Sequence, residues 1–324
     1  MNDGIVMNTL ITGGTGFVGA ELARMLIEKG ERPIIFDVAP VREPLKRLSD
    51  HFEYMPGSVA NLSELANAVI GRDVDRIFHL GGLLSVPSEQ NPWRAFDVNA
   101  VGTYNLLEVA RIFGVRQVVF SSSIAVYSED LPESEVTETT CCHPTTIYGS
   151  CKVFGELLGR YYSQRFGLDF RGVRLPSVVG PFSTVSHMSS YNCWAIEEPL
   201  KGRPYVLLVE PETRVPALYF KDAARALQML AETDRSQLSR SVYNVAGISP
   251  AYSAGQLVEA VKRQIPEADL SFAPDANVMN LLGGLAKTRI SDDKARSDWH
   301  WTVAYRLDEM VTDFIHEFRS HGSR

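Results

Sequence analysis

The run Thr12-Gly13-Gly14-Thr15-Gly16-Phe17-Val18-Gly19 constrains this chain more than any other stretch. It stands between a short, mostly apolar run, Val6 to Thr12, and a segment with helical spacing, Ala20 to Lys29. Glycines placed between a strand and a helix allow a tight turn and let the helix pack close on the strand. They also let backbone approach a pyrophosphate, toward which the helix aims its unpaired N–H groups and the positive end of its dipole. A glycine-rich turn without a ligand needs the turn alone. Here the strand, the helix and the third glycine are all in register.

The same alternation continues downstream. Pro33-Ile34-Ile35-Phe36-Asp37, Arg76-Ile77-Phe78-His79-Leu80, Gln117-Val118-Val119-Phe120-Ser121 and Phe170 to Leu175 are predicted strands. Ala60 to Ile70 (opened by Asn61), Trp93 to Phe113 and Tyr148 to Phe166 are predicted helices between them. Short apolar strands without a polar face, alternating with helices, imply a parallel sheet covered on both sides. The predicted fold is α/β: a Rossmann-like, doubly wound parallel sheet with a smaller C-terminal substrate-binding α/β cap. At roughly 150 residues per domain, 324 residues make two units or one large unit with a cap. We divide them as 1–175 for the nucleotide-binding part and 176–324 for a smaller, interleaved substrate-binding part. Pro176 to Tyr191 lacks periodicity and is the longest predicted loop, and loops that long are usually functional. Cys193 to Lys201, Asp222 to Glu232, Ala254 to Gln264, Asp292 to Trp299 and Leu307 to Phe318 follow as helices; Tyr205 to Val209, Val242 to Val245 and Leu270 to Phe272 follow as strands.

Composition narrows the function. The formal net charge of −7 argues against a nucleic-acid or anionic-membrane partner, since both call for a basic face. No run approaches the ~18 apolar residues of a membrane span, and the start, Met1-Asn2-Asp3-Gly4, shows no signal peptide. Cys141, Cys142, Cys151 and Cys193 show no C-x-x-C spacing and are expected as reduced thiols, with no metal site. A cytoplasmic enzyme acting on a small molecule is the expectation.

Asp37 ends the second predicted strand, where a carboxylate accepts hydrogen bonds from adenosine ribose hydroxyls and repels a 2′-phosphate. No arginine follows before Arg42, so the expected cofactor is NAD rather than NADP. Tyr148 and Lys152 are spaced i and i+4 and share a helix face. A tyrosine needs about three pKa units of help to act as a base near neutrality. An ammonium one turn away, together with a nicotinamide cation, can supply it. Ser121-Ser122-Ser123 closes a strand at the carboxyl edge of the sheet, where ligands bind in such folds.

Together the glycine pattern, Asp37, Ser123, Tyr148 and Lys152 resemble the extended short-chain dehydrogenases/reductases, the NAD-dependent epimerase/dehydratase family, in order along almost the whole chain. His79-Leu80-Gly81-Gly82, Asn99-Ala100-Val101-Gly102-Thr103 and Arg174-Leu175-Pro176 fit the same pattern. The resemblance implies that Ser123 hydrogen-bonds the substrate oxygen and Tyr148 exchanges the proton. Lys152 would lower the tyrosine pKa and hold the nicotinamide ribose. It further implies cofactor contacts from Gly13, Gly16, Phe17, Val18, Gly19, Asp37, Ser58, Val59, Leu80, Gly81, Gly82, Asn99, Tyr148, Lys152 and Pro176, Asn99 also orienting neighbouring backbone. Where the family often carries Gly-Asp to receive the adenine amino group, this chain has Gly57-Ser58. A homodimer through the helices Trp93 to Phe113 and Tyr148 to Phe166 is also implied. Tyr127 lacks a lysine at i+4 and is expected to be structural.

Within the family, dehydratases place an acidic pair where this chain has Ile124-Ala125, so that branch fits poorly. Nucleotide-sugar epimerases carry Arg with Asp-Phe-Val-Tyr where this chain runs from Arg214 through Pro216 to Tyr219. That run, with Leu83-Leu84-Ser85, Ser241 to Val245, Ile265-Pro266-Glu267 and Asp298-Trp299-His300-Trp301, is similar to the short-chain type of L-threonine 3-dehydrogenases. The similarity implies that Ser85 and the loop Ser186 to Tyr191, Ser189 included, hold the substrate, together with Ser123, Tyr148 and Arg214. The loop reads His187-Met188-Ser189-Ser190-Tyr191 where that group favours Thr-Thr-Asp-Tyr, and Ala286-Lys287, with Arg289 nearby, replaces its Trp-Pro. A lost carboxylate and gained cations point to a different substrate, a hydroxy acid without an ammonium group; the expected substrate class is a small polar β-hydroxy acid or a β-hydroxy amino acid similar to L-threonine. The blander expectations are a helix cap for Ser85, solvated or packed His187 and Met188, a surface charge for Arg289, and core positions for Trp299 and Trp301. A nucleotide-sugar 4-epimerase is the alternative enzyme; a nucleotide-sensing regulator fits less well, because such proteins usually lack the tyrosine or the lysine.

Overall fold

Neighbouring residues in each central strand are both apolar, and the chain sends them to opposite sides of one sheet. The computed structural model describes residues 7–43, 45–127, 135–183, 189–282 and 289–321. The strands of its first half are β1 (Thr9–Thr12), β2 (Ile34–Asp37), β3 (Glu53–Pro56), β4 (Arg76–His79), β5 (Gln117–Ser123), β6 (Glu135–Val136) and β7 (Asp169–Leu175). The second half adds β8 (Ser177–Val179), β9 (Tyr205–Leu207), β10 (Ala217–Tyr219), β11 (Val242–Asn244), β12 (Leu270–Phe272) and β13 (Arg289–Ile290). Six helices precede residue 167: α1 (Phe17–Glu28), α2 (Leu62–Asn67), α3 (Ser85–Gln90), α4 (Pro92–Ala95), α5 (Gly102–Ile112) and α6 (Ile147–Phe166). After it come α7 (Tyr191–Leu200), α8 (Phe220–Glu232), α9 (Ala254–Gln264), α10 (Ala276–Leu282), α11 (Asp293–Trp299) and α12 (Leu307–His321).

Seven strands form one sheet in the order β11-β7-β5-β4-β1-β2-β3, and every neighbouring pair is parallel. Leu10, Ile34, Ile77 and Val118 face one layer with Leu65, Leu106 and Tyr162, from the side of α2, α5 and α6. Their neighbours Ile11, Ile35, Phe78 and Val119 face the other, with Leu22 and Leu26 of α1 and Leu227 of α8. Trp299 and Trp301 lie in that second layer, as expected of core residues. A third core joins α7, α9 and α12 with β8, β9 and β10. β11 and α8, although late in the chain, complete the main sheet rather than the cap.

Local chemistry accounts for the helix ends. Asn61 accepts from the N–H groups of Ser63 and Glu64 to start α2, and Thr146 accepts from Gly149 N–H to start α6. Gly167, with φ of 74°, ends α6 in the left-handed region where glycine carries no steric cost. The predicted helix from Trp93 to Phe113 is continuous only through a π-helical segment, Phe96–Val101, between α4 and α5. Two predictions need correction. The expected loop from Pro176 contains β8, whose parallel pairing with β10 makes a strand of a segment with no periodic signature. β3 was not foreseen, because Glu53-Tyr54-Met55-Pro56 is only half-buried at the sheet edge and carries no continuous apolar run. Positions 1–4, 128, 184–188 (with His187 and Met188) and 286–287 lie outside the described residues.

α6 sits unusually close to β7. A Cβ built on Gly159 would lie 2.2–2.4 Å from three ring atoms of Phe170. Gly159→Ala should therefore destabilise the protein by about 1–3 kcal/mol, because the ring is locked in a packed core. Denaturant unfolding checks this. A neutral or stabilising effect, as expected of Gly→Ala in an open helix, would show that α6 and β7 are not held this tightly.

Candidate active site

β1, β4, β5 and β7 end along one edge of the sheet, and the strand order reverses between β1 and β4. Such a switch point leaves a crevice. Here a cavity of about 1500 Å³ opens along it. This exceeds the ~300–1,000 Å³ of a typical small-ligand site and leaves room for a dinucleotide beside a second small molecule. Gly13, with φ of 70°, makes the turn out of β1; a Cβ there would fall 2.7 Å from the Gly81 nitrogen. Gly16 then occupies the N-cap of α1 and has no side-chain acceptor to offer, so the helix meets the cavity uncapped.

Of the residues expected to touch a cofactor, Gly13, Gly16, Phe17, Val18, Gly19, Asp37, Ser58, Val59, Leu80, Gly81, Gly82, Tyr148 and Pro176 all line this cavity. Asp37 is held by the loop it faces. One carboxylate oxygen accepts from Thr15 N–H (3.0 Å) and Thr15 Oγ1 (2.7 Å), the other from Ala39 N–H (3.0 Å). That leaves acceptor capacity on Oδ1 for a ribose hydroxyl. Ser58 Oγ accepts from Ala60 N–H at 3.3 Å, and Ser58 N–H donates to Glu64. The uncapped helix, the anchored carboxylate and the length of the crevice fit an adenine dinucleotide. Asn99, also expected to touch the cofactor, lies behind the wall instead: its side chain accepts from Leu83 N–H (2.7 Å) and donates to Leu83 O (3.0 Å), fixing the turn before Ser85.

A hydrogen-bonded chain that sequence reasoning missed ties these loops together. Gly81 N–H donates to Thr12 Oγ1 (3.1 Å), which lies 2.8 Å from His79 Nδ1. His79 Nε2 lies 3.0 Å from Thr103 Oγ1, whose hydrogen goes to Asn99 O (2.7 Å). Since Thr103 donates onward, His79 must donate from Nε2 and accept at Nδ1. Burial, helped by the charge of Lys152, pushes the imidazole down to about 3, so it stays neutral. The signal was Thr103, one turn after Asn99 and opposite the histidine.

At the other end of the cavity Ser123 closes β5 and Tyr148 opens the first turn of α6. Lys152 is buried one turn along, donates from Nζ to Ser121 O (2.7 Å), and lies 4.8 Å from the Phe120 ring centroid and 5.5 Å from that of Tyr148. Burial pushes the Tyr148 phenol up to about 12, partly countered by its hydrogen bond with Ser123. In the free protein the phenol thus stays above its ordinary value, with the Lys152 ammonium hydrogen-bonded to the β5 carbonyl. Lys152 is pulled down to about 8 by burial, against the opposing fields of Cys151 and Glu156.

Tyr127 is structural, as expected. It accepts from Arg174 Nη1 (2.6 Å) and contacts Asn244 Oδ1 (2.7 Å) and Thr137 O (2.9 Å), and burial raises it to about 12. Ser85 and Ser189 line the cavity. Ser85 is the first residue of α3 rather than its cap. Arg214 is a correction: its guanidinium donates to Ala251 O and Gln256 Oε1 (3.1 Å) near the start of α9, outside the cavity wall. Arg289 pairs with Glu135 (3.2 Å) on the surface, also outside the wall. Cavity residues that sequence reasoning missed include Ser177, Phe182 and Glu197, all from or facing the supposed loop.

Lys152 supplies a stability test. Its folded pKa of about 8 lies below the ~10.4 of a free lysine, so folding costs free energy wherever both states are charged, below about pH 8. The cost fades as pH rises from about 8 toward 10.4, where the folded protein binds fewer protons than the unfolded. Lys152→Met should thus raise Tm by a few degrees at pH 7, with a smaller gain at pH 10. Calorimetry at both pH values checks it; a lower Tm at pH 7 would show the ammonium to be compensated.

The profile of the NAD-dependent epimerase/dehydratase family matches residues 9–246. A mitochondrial L-threonine 3-dehydrogenase of Bos taurus is 30% identical over 97% of this chain and 82% of its own length. The holo form of a GalE-like L-threonine dehydrogenase from Cupriavidus necator superposes with a TM-score of 0.84 at 31% identity, covering 95% of this chain and 99% of that one. A monomeric L-threonine 3-dehydrogenase from a metagenome does so with a TM-score of 0.85 at 26% identity, covering 97% and 100%. With the matched profile, the parallel sheet and the dinucleotide-sized crevice in agreement, the chain belongs to the NAD-dependent epimerase/dehydratase family of extended short-chain dehydrogenases/reductases.

Proposed function

We propose that the protein is an NAD-dependent dehydrogenase that oxidises the hydroxyl of a small polar β-hydroxy acid or β-hydroxy amino acid, L-threonine among them. The observation that carries this is the meeting of Ser123 and Tyr148 on one wall of the cavity, with Lys152 buried directly behind them. The sequence relatives named as L-threonine 3-dehydrogenases support the substrate class. Bound NAD supplies the hydride-accepting ring and its positive charge. Asp37 and the uncapped start of α1 hold the adenosine and pyrophosphate ends, and the Lys152 ammonium holds the nicotinamide ribose. Ser123 Oγ hydrogen-bonds the substrate oxygen, and the Tyr148 phenolate accepts its proton. Glu197 also lines the cavity, but it is already matched by Lys201 (2.8 Å) and Phe182 N–H (3.1 Å), so it is not a free anchor for an ammonium group.

NADH absorbance with free NAD and a panel of hydroxy acids and β-hydroxy amino acids tests the reading. Tyr148→Phe should lower turnover on the best substrate by ~10²–10⁴ while leaving NAD affinity nearly unchanged. The phenol of the free protein stands at about 12, so oxidation should speed up with rising pH across the neutral range, and that dependence should vanish in Tyr148→Phe. Near-normal turnover in the variant would remove Tyr148 from the mechanism.

The same reading includes a homodimer and a cytoplasmic location. Trp93 (85% exposed), Leu157 (62%), Phe96 and Tyr161 (52% each) give α4 to α6 and their connecting turn an apolar face that a single sheet layer does not cover. A symmetric copy of that face would cover it. Four free thiols suit a reducing compartment. Sedimentation at micromolar concentration should return twice the 36.0 kDa chain mass; a monomer would overturn the dimer.

A further inference from the structure

Behind the triad the protein holds a second buried charge assembly. Arg174 grips Glu156 with two bonds, Nε to Oε1 (2.9 Å) and Nη2 to Oε2 (2.7 Å), and Ser122 Oγ donates to the same carboxylate (2.5 Å). Both members of the pair are more than nine-tenths buried. They nevertheless form part of the lining of a separate cavity of about 410 Å³, together with Arg160 of α6 and Arg235 and Arg240, which precede β11.

This cavity gathers four guanidinium groups against two carboxylates, Glu138 and Glu156, in a chain whose net charge is −7. Glu156 is spent on Arg174 and Ser122, and Glu138 accepts from Asn244 N–H (3.0 Å). Among the described residues the side chains of Arg160 and Arg240 have no hydrogen-bond or ion-pair partner. Arg235 makes only long contacts, to Asp169 (3.6 Å) and Leu238 O (3.5 Å). Arg174 uses three of its five N–H donors, on Glu156 and Tyr127, and keeps two. Convergent guanidinium forks with spare donors match the oxygens of phosphate or carboxylate groups.

We propose that this cavity is an effector site for a small multivalent oxyanion, phosphate or polycarboxylate, acting through Arg174 on the triad. An anion that draws on Arg174 loosens its hold on Glu156, which sits one helical turn from Lys152 on α6 and accepts from Ser122, the strand residue next to Ser123. The groups facing Lys152 are Glu156, Cys151 and Tyr148 of its own helix, His79 of β4 and the Ser121 carbonyl of β5. Since the proposal rests on the reading that Lys152 holds the cofactor, NAD affinity is the quantity that should respond, in both directions of the linkage.

The test is calorimetric titration of inorganic phosphate, and separately malonate, at constant ionic strength, into the free protein and into protein saturated with NAD. Saturable binding is expected in both states. In the variant Arg160→Gln/Arg240→Gln, both surface changes that leave the core intact, affinity should fall at least tenfold. The stronger of the two probes identifies the ligand as phosphoryl or carboxylate. NAD affinity, followed by tryptophan fluorescence, should differ several-fold between phosphate-free and phosphate-saturated wild type and not in the variant. Absence of saturable binding, equal binding by the variant, or an NAD affinity indifferent to phosphate overturns the proposal. So does loss of phosphate binding on adding NAD, which would place the ion in the glycine-rich cradle. Binding to the free protein does not depend on the cofactor reading, so the two can fail separately.

Discussion

Everything at the active edge depends on how closely the ends of β1 and β4 approach each other. The chain that runs from Gly81 through Thr12, His79 and Thr103 to Asn99 O closes that gap with oriented hydrogen bonds, and the Asn99 side chain extends it to Leu83. No link in it can reverse without leaving a buried donor or acceptor unpaired, which costs about 1–3 kcal/mol for each group. The glycine-rich turn, the Leu80–Gly82 turn and the wall that leads to Ser85 therefore behave as one rigid frame. Gly13 is part of the same constraint, since its missing Cβ is the space that Gly81 occupies. A frame of this kind positions a cofactor without ordering loops at the moment of binding.

On the other side of β5 the problem is charge. Lys152, Glu156 and Arg174 are all taken out of water within two turns of α6 and the strand beside it. Arg174 and Glu156 satisfy each other bidentately, and Tyr127 and Ser122 take up donors and acceptors at their edges. Lys152 has no such partner; a backbone carbonyl and the face of Phe120 are its compensation. The result is a cation held at some cost to stability behind Ser123 and Tyr148. The phenol itself is equally unsettled, with burial holding it neutral in the free protein. Burial thus shifts the proton affinities of Tyr148 and Lys152 in opposite directions beside the cavity.

Much of this could be read in advance. Strands with apolar residues on both faces, the glycine cluster and the i, i+4 pair of Tyr148 and Lys152 are local patterns, and local patterns survive in a bare sequence. The same holds for the Asn61 cap and for Asn99, whose place in its motif matched its role as a backbone clamp. The failures have a common cause. β8 exists only because β10 pairs with it, and β3 only because β2 offers an edge. Arg214 read as a substrate ligand from its motif, but the start of α9 claims its guanidinium. Its placement was decided by a segment some forty positions away in the chain.

The sequence by itself determined the parallel α/β architecture, the nucleotide cradle and the likeness to one enzyme family, and it singled out Ser123, Tyr148 and Lys152. These follow from periodicity, from glycine's freedom and from fixed spacings along a helix, all short-range properties of a chain. The tertiary structure alone decided the proton affinities of those residues, the tautomer of His79 and the burial of the Glu156–Arg174 pair. It also decided which polar side chains face the cavity. These depend on what is packed around a group, and the packing partners arrive from strands and helices that only folding brings together.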